Sequence, residues 1–200
     1  MPSSARGNPV RLALPPEGLE YRPEVIGPEE ETELVRNIEP LPLKEFDFRG
    51  HLGRRRVISY GYRYDFSGRG LQRAEELPGF LRDLRRRAAA FAELSEEELT
   101  QTTVIEYTPG AAIGWHRDKP IFGDVVGISL HSTCTFRFRR KFGSAWERYS
   151  MSPEARSAYL LRGPARIEWE HSIPGVPALR YAITFRTMRP EPAPRSRRRK

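Results

Sequence analysis

In GWHRDKP, residues 114–120, a histidine and an aspartate stand two positions apart behind a tryptophan. In an extended segment, residues i and i+2 project from the same face, so His116 and Asp118 can be offered together while Arg117 points away. An imidazole and a carboxylate do not make a metal site alone. His171 is the natural third ligand, because RIEWEH reads as an alternating strand in which Ile167, Trp169 and His171 share an inward face. Two imidazoles and one carboxylate occupy one face of an octahedral ion and leave three positions open, an arrangement suited to Fe(II) in oxygen chemistry. The remaining histidines, His51 and His131, lie in no comparable pattern and read as surface or loop residues.

A ferrous centre of this type commonly takes an organic dianion, which the protein must hold in a mostly apolar pocket, preferably by a bidentate arginine. The last alternating segment, LRYAITFRTM, offers Arg180 and Arg186. Their spacing of six puts both on one face with Ala182 and Thr184, about 20 Å apart by strand rise. The arginines in CTFRFRR, Arg137 and Arg139, alternate against Phe136 and Phe138 and read as solvent-facing.

These side chains must be positioned by an α+β fold. Helical signals come first. Pro28 and the following glutamates suit the start of a helix whose stripe is Leu34, Val35 and Ile38. A second helix is predicted over 78–93, with Leu81, Leu84, Ala88 and Phe91 on one face, and Ser95 to Glu98 resembles a capping box. From about 103 to 188 the period is that of short strands, which points to an antiparallel sandwich or barrel.

Length and composition set the limits. The 200 residues suit one domain. The formal charge is +8, but RPEPAPRSRRRK at 189–200 holds six Lys/Arg against one Glu, so the folded part is only mildly basic. A basic tail suits an anionic partner. Residues 1–20 and 189–200 read as flexible ends. A single cysteine, Cys134, excludes an internal disulfide and a multi-cysteine zinc site. With no apolar run of spanning length and no signal-peptide core, the expected location is cytoplasmic, or nuclear in a eukaryote, and a monomer is expected.

Taken together, IEYTPGAAIGWHRDKPIFGDVVGISL, then WEHSIP, then LRYAITFR, resemble the AlkB-type Fe(II)/2-oxoglutarate dioxygenases, particularly bacterial members, over residues 21–188. The combination is a Tyr-x-Pro-Gly turn, HxD nine and eleven residues beyond that Tyr, a distal His, and Arg-Tyr-x-x-Thr-Phe-Arg. The resemblance implies a double-stranded β-helix, or jelly roll, with N-terminal helices on one side. It further implies that His116, Asp118 and His171 bind Fe(II). Arg180 would then pair with the far carboxylate of 2-oxoglutarate, assisted by the Tyr107 hydroxyl, and Arg186 would lie near the metal.

Residues 46–66, FDFRGHLGRRRVISYGYRYDF, fall where the family carries its substrate lid. Arg54, Arg55, Arg56, Tyr60 and Tyr62 there suit phosphates and a stacked base, although a hairpin with a solvated basic strand would read alike. Two positions depart from the repair members: Ile105 stands where they have an Asn, and Pro120 where some have an acid. The implied activity is O2-dependent dealkylation of N-alkylated bases in DNA or RNA, as in repair of alkylation damage, releasing formaldehyde, succinate and CO2. The same chemistry on a protein side chain, and a silent nucleic-acid-binding module, are the alternatives.

Overall fold

The computed structural model describes residues 10–12, 14–48, 51–65 and 68–189. The first nine residues, the tail at 190–200, positions 49–50 and 66–67 of the expected lid, and the side chain of His51 lie outside the described residues. In chain order the elements are β1 (Val10–Leu12), β2 (Leu19–Arg22), α1 (Pro28–Ile38), β3 (Lys44–Phe48), β4 (His51–Tyr60), β5 (Tyr62–Asp65), β6 (Gly70–Arg73) and α2 (Arg82–Ala92). Then follow β7 (Leu99–Tyr107), β8 (Ile113–His116), β9 (Phe122–Leu130), β10 (Phe136–Phe142), β11 (Ala145–Met151), β12 (Ala158–Leu161), α3 (Gly163–Ile167), β13 (Glu170–Ile173) and β14 (Arg180–Met188).

Seven strands form one sheet in the order β2-β12-β9-β14-β7-β4-β3, five form a second in the order β1-β11-β10-β13-β8, and β5 and β6 make a separate hairpin. Every described pairing between these strands is antiparallel except β1 on β11. The two sheets enclose one core and the helices cover the outside of the larger sheet, the jelly-roll arrangement expected.

Strand β14 shows how alternation builds both layers. Tyr181, Ile183 and Phe185 enter a cluster with Leu34 and Ile38 of α1 and Leu84, Ala88 and Phe91 of α2. Ala182 enters a second cluster between the sheets, with Tyr107, Phe136, Phe138, Tyr159 and Trp169. Burying one such large apolar side chain contributes about 1.5–3 kcal/mol. Both faces of the central strand are therefore fixed, and a one-residue slip would exchange its arginine face for its aromatic face.

The helices form for the local reasons read from sequence. Pro28 occupies the first turn of α1, with Glu29, Glu30 and Glu31 beside it. The segment after Pro78 begins as a 3-10 turn, Gly79–Leu81, before α2 proper, and α2 stops at Glu93 in the left-handed region. The capping box is formed, with the Ser95 amide donating to Glu98 Oε2 at 2.9 Å.

Three expectations need correction. Val10–Leu12 pairs with Trp146–Arg148, and Leu19 already belongs to β2, so order begins before residue 21. RIEWEH is not one strand: Pro164 starts the short helix α3, Ile167 ends it 47% exposed, and only Glu170–Ile173 is extended. Asp118 lies in the loop after β8, not on the strand, which ends at His116. No helix among the described residues is long and apolar enough to cross a membrane.

Candidate metal centre

Strands β8 and β13 lie side by side with His116 directly opposite His171. That register, not sequence proximity, brings the second imidazole in; the ring centroids are 4.3 Å apart. The loop after β8 turns Asp118 back toward the pair, and one ligand atom from each of the three residues lies within 4.8 Å of the others.

The protonation states suit metal binding. Burial pushes the His171 imidazole down to about 3, with the neighbouring His116 adding to the effect, and burial also lowers His116. Both rings are thus neutral at neutral pH, as ligands must be. For Asp118, burial alone would raise the carboxyl. Arg186 first, then His171, His116 and Arg166, outweigh it and hold the group well below the usual carboxylate range. His116 Nδ1–H donates to the Gly114 carbonyl at 2.9 Å, which leaves Nε2 free for a metal. His171 is buried and its Nδ1 has no partner among the described residues.

The loop that carries Asp118 is braced from α3. Arg166, 4% exposed, donates to three main-chain carbonyls: Gly123 at 2.9 Å, Lys119 at 2.8 Å and Phe122 at 2.8 Å. From β14, Arg186 donates to Asp118 Oδ2 at 3.5 Å, to Gln101 Oε1 and Thr184 Oγ1 at 2.8 Å each, and to Thr103 Oγ1 at 3.3 Å.

At the other end of β14, Arg180 is 1% exposed. Its Nη2 donates to Ser129 Oγ at 2.9 Å, but Nε and Nη1 have no partner among the described residues. Leaving buried donors unpaired costs about 1–3 kcal/mol each, more for a charged group. A guanidinium short of two acceptors among the described residues, lying 5.2 Å from the Tyr107 ring, could receive a carboxylate. Burial raises the hydroxyls of Tyr107 and Tyr159, which therefore stay protonated and can donate. Gly127 makes room for Tyr159, since a Cβ there would collide with its ring.

The structure brings together His116, Asp118, His171 and Arg186 at one end, and Tyr107 with Arg180 at the other. The expected substrate residues divide. Arg55 is registered opposite Tyr107, and its charge is felt by Asp118 and His116; burial lowers its guanidinium. Arg54 is exposed and its guanidinium reaches toward Gly110, whose φ of +82° makes the turn after β7. Tyr62 lies in the β5–β6 hairpin against Arg73.

Arg56 and Tyr60 are on the opposite face of β4. Arg56 is paired with Glu106 at 2.7 Å, and Tyr60 is buried in the helix-side cluster. Three consecutive arginines in a strand cannot all face one site. His131 is exposed at a positive-φ turn, as a loop residue. Arg137 and Arg139 do project outward, but they are partly covered by Ser172, Glu170 and Trp115. Ile105 packs into the inter-sheet cluster as part of an apolar wall.

Sequence reasoning missed Ser129, Gln101, Tyr159 and Arg166. Tyr64, the third tyrosine of the 46–66 stretch, has the Lys119 ammonium 4.7 Å from its ring beside the metal loop. A glycine two positions before Ser129 on a β-branched strand was the one local signal of a close approach there.

The family model described as "2OG-Fe(II) oxygenase superfamily" matches residues 26–186. A relative from Arabidopsis thaliana, "Alkylated DNA repair protein ALKBH8 homolog", is 31% identical over 147 residues, 62% of this chain and 42% of that protein. A relative from Macaca fascicularis, "tRNA (carboxymethyluridine(34)-5-O)-methyltransferase ALKBH8", is 29% identical over 170 residues, 80% of this chain and 24% of its own length. The chain thus spans less than half of each of these two relatives. Among solved structures, OsALKBH1 superposes with a TM-score of 0.65 at 16% identity, covering 88% of this chain and 98% of that one. A Pseudomonas putida prolyl-4-hydroxylase gives 0.56 at 15% identity, covering 86% and 93%. These two likenesses concern the fold.

Proposed function

The chain belongs to the 2OG-Fe(II) oxygenase superfamily as an AlkB-type dioxygenase using Fe(II), 2-oxoglutarate and O2, and from that premise we propose that it oxidatively dealkylates N-alkylated bases in DNA or RNA. The observation that carries the reading is a pair of unfinished groups: His116, Asp118 and His171 converge, and Arg180 is buried with two nitrogens unpaired among the described residues.

The donor set fits the absent groups. His116, Asp118 and His171 would hold Fe(II), and Arg180 with Tyr107 would take the far carboxylate of 2-oxoglutarate. When bound, iron with 2-oxoglutarate and O2 supplies the oxidising equivalents that hydroxylate a carbon, with succinate and CO2 as products. Arg186 orients the Asp118 carboxylate, Arg166 holds the loop that presents it, and Phe136 and Ile105 keep water from the chamber. On an N-alkyl group, the hydroxylated carbon leaves as formaldehyde and the nitrogen takes the proton.

Nucleic acid as the substrate class is supported by the relatives, one named for repair of alkylated DNA and the other for a tRNA nucleoside. It is also supported by Arg55, opposite Tyr107, and by Tyr62 and Tyr64 with the cations against their rings, since cations and rings suit phosphate and a stacked base. A base in a duplex would have to be flipped out, which a lost Watson–Crick pair makes easier.

The test is incubation with Fe(II), 2-oxoglutarate and N-methylated oligonucleotides, DNA and RNA, while following succinate and formaldehyde. Formaldehyde released in step with succinate, and only with methylated oligonucleotide, is the expected result. Turnover restricted to peptides would move the chemistry to protein side chains. Retarded oligonucleotide without any succinate would leave a silent binding module.

A further inference from the structure

The outer face of the five-stranded sheet is a second surface that the metal centre does not use. Alternation sends Phe136 and Phe138 of β10 into the core, so Arg137, Arg139 and Lys141 project outward. Directly opposite on β11, Arg148 faces Arg139 and Trp146 faces Lys141, which places them on the same side. On β8, Trp115 precedes His116 and points the other way, onto this face. Its ring lies 5.2 Å from the Arg137 guanidinium and 4.4 Å from that of Arg139, which also lies 4.5 Å from Trp146. Glu170, opposite Arg139 on β13, is the acid on this face and is paired with Arg139 at 2.6 Å.

Four cations against one acid is an unusual balance for a patch whose cross-strand neighbours include like charges such as Arg139 and Arg148. Directly opposed like charges destabilise a sheet. The larger sheet buries its outer face under α1 and α2, whereas here Lys141 and Arg148 are exposed. Guanidinium stacking holds the two indoles in place on a flat, open sheet. Cations interleaved with aromatic rings on such a surface suit a single strand of nucleic acid, with phosphates meeting the cations and bases meeting the rings.

We propose that this face, formed by Trp115, Arg137, Arg139, Lys141, Trp146 and Arg148, binds the single-stranded nucleic acid flanking the nucleotide held at the metal centre. The inference rests on the nucleic-acid reading above and extends it. Its continuity with the site comes from β8, which offers His116 to the metal and Trp115 to this face, and from exposed Arg117 at the strand end.

The test uses the full chain carrying Lys141→Glu with Arg148→Glu, both exposed, and a milder pair, Lys141→Gln with Arg148→Gln. Arg36→Glu with Arg82→Glu, exposed on the helix side, makes the same change in net charge as a control. Binding of an unmodified single-stranded RNA or DNA oligonucleotide is followed by anisotropy across a salt series. The reversal pair should weaken binding about tenfold or more at low salt. Loss of two phosphate contacts lowers the slope of log K against log salt by about 1.4. With a methylated oligonucleotide, KM should rise while kcat and the melting temperature hold, and the Gln pair should fall between.

Wild-type affinity and slope in the reversal pair would overturn the proposal, as would equal weakening in the control or preference for an acidic peptide. A protein that turns over methylated oligonucleotide with unchanged KM in the reversal pair keeps the proposed activity and loses this surface. One that binds oligonucleotide here yet releases no formaldehyde keeps this surface and loses the activity.

Discussion

Arg166 and Arg180 are both buried, 4% and 1% exposed, yet the chain treats them in opposite ways. Arg166 is met by three main-chain carbonyls, each within 2.9 Å. Arg180 is met by one serine hydroxyl and has two nitrogens left over. A buried cation is tolerated when the fold itself supplies acceptors, and the first arginine is then a brace. Where the fold withholds them, the deficit is made good by something that arrives with its own oxygens. The contrast separates a structural charge from a receiving one without reference to any relative.

Replacing Arg180 breaks the comparison most sharply. Truncating one partner of a buried, hydrogen-bonded charge pair costs about 2–5 kcal/mol of binding. Arg180→Met should therefore weaken 2-oxoglutarate by two to three orders of magnitude in calorimetric titration of the Mn(II)-loaded protein. The melting temperature of the ligand-free variant should hold or rise, because an undersatisfied cation has been removed from the interior. Unchanged affinity would mean that another group takes the carboxylate.

Arg166→Met should do the reverse. Three main-chain carbonyls would lose the Arg166 donor; the Lys119 oxygen keeps the Phe122 amide at 3.0 Å, so two are left short at about 1–3 kcal/mol each and about 2 kcal/mol of stability or more is at stake. For a chain of this size about 2 kcal/mol is roughly 4–8 °C in the melting temperature. At a temperature where the variant is still folded, its affinity for 2-oxoglutarate should lie within a few-fold of wild type. Its affinity for Mn(II) should fall, because the Lys119 carbonyl that Arg166 holds is adjacent to the ligand Asp118.

The same pair of variants sharpens the comparison through linkage. At a hundred times its Kd, a ligand that binds only the folded state stabilises by about 2.7 kcal/mol. Adding 2-oxoglutarate to Mn(II)-loaded wild type should raise the melting temperature by about 5–11 °C. The Arg166→Met protein, though less stable, should show the same increment, and Arg180→Met should show almost none. Equal increments in all three would place the carboxylate elsewhere.

The two arginines were not equally legible. Arg180 was visible because LRYAITFR alternates, which puts Arg180, Ala182, Thr184 and Arg186 on one face of β14 before the register shifts beyond Arg186. Arg166 was hidden inside RIEWEH, which alternates by eye but folds as the end of α3 followed by a strand; Pro164 starts a helix that a period-2 reading passes over. His171 was identified through that same faulty strand, yet its own extended segment is real, and register opposite His116 secures it. Asp118 was placed correctly in space on a strand it does not occupy. Local pattern reports which way a side chain points. It does not report which strand arrives alongside, and so Ser129 and Gln101, which act through partners on the neighbouring strand β14, carried no signal of their role.

Ser129 offers the finest adjustment of the contrast. Its hydroxyl is the acceptor that the fold grants Arg180, at 2.9 Å, on a β9 position registered beside Ala182 of β14. Ser129→Ala removes that acceptor and leaves the guanidinium with none among the described residues. If the serine serves only stability, the variant should melt lower and bind 2-oxoglutarate unchanged. If it aims the guanidinium, the free arginine swings, and some of the carboxylate's binding energy is spent on fixing it again. A single hydrogen bond to a charged group contributes about 1.5–3 kcal/mol at most, and a positioning role only part of it. The expected result is a three- to tenfold loss of 2-oxoglutarate affinity with kcat at saturation unchanged, and Ser129→Thr, which keeps the oxygen, should recover most of it. A loss as large as that of Arg180→Met would mean that the serine itself contacts the ligand.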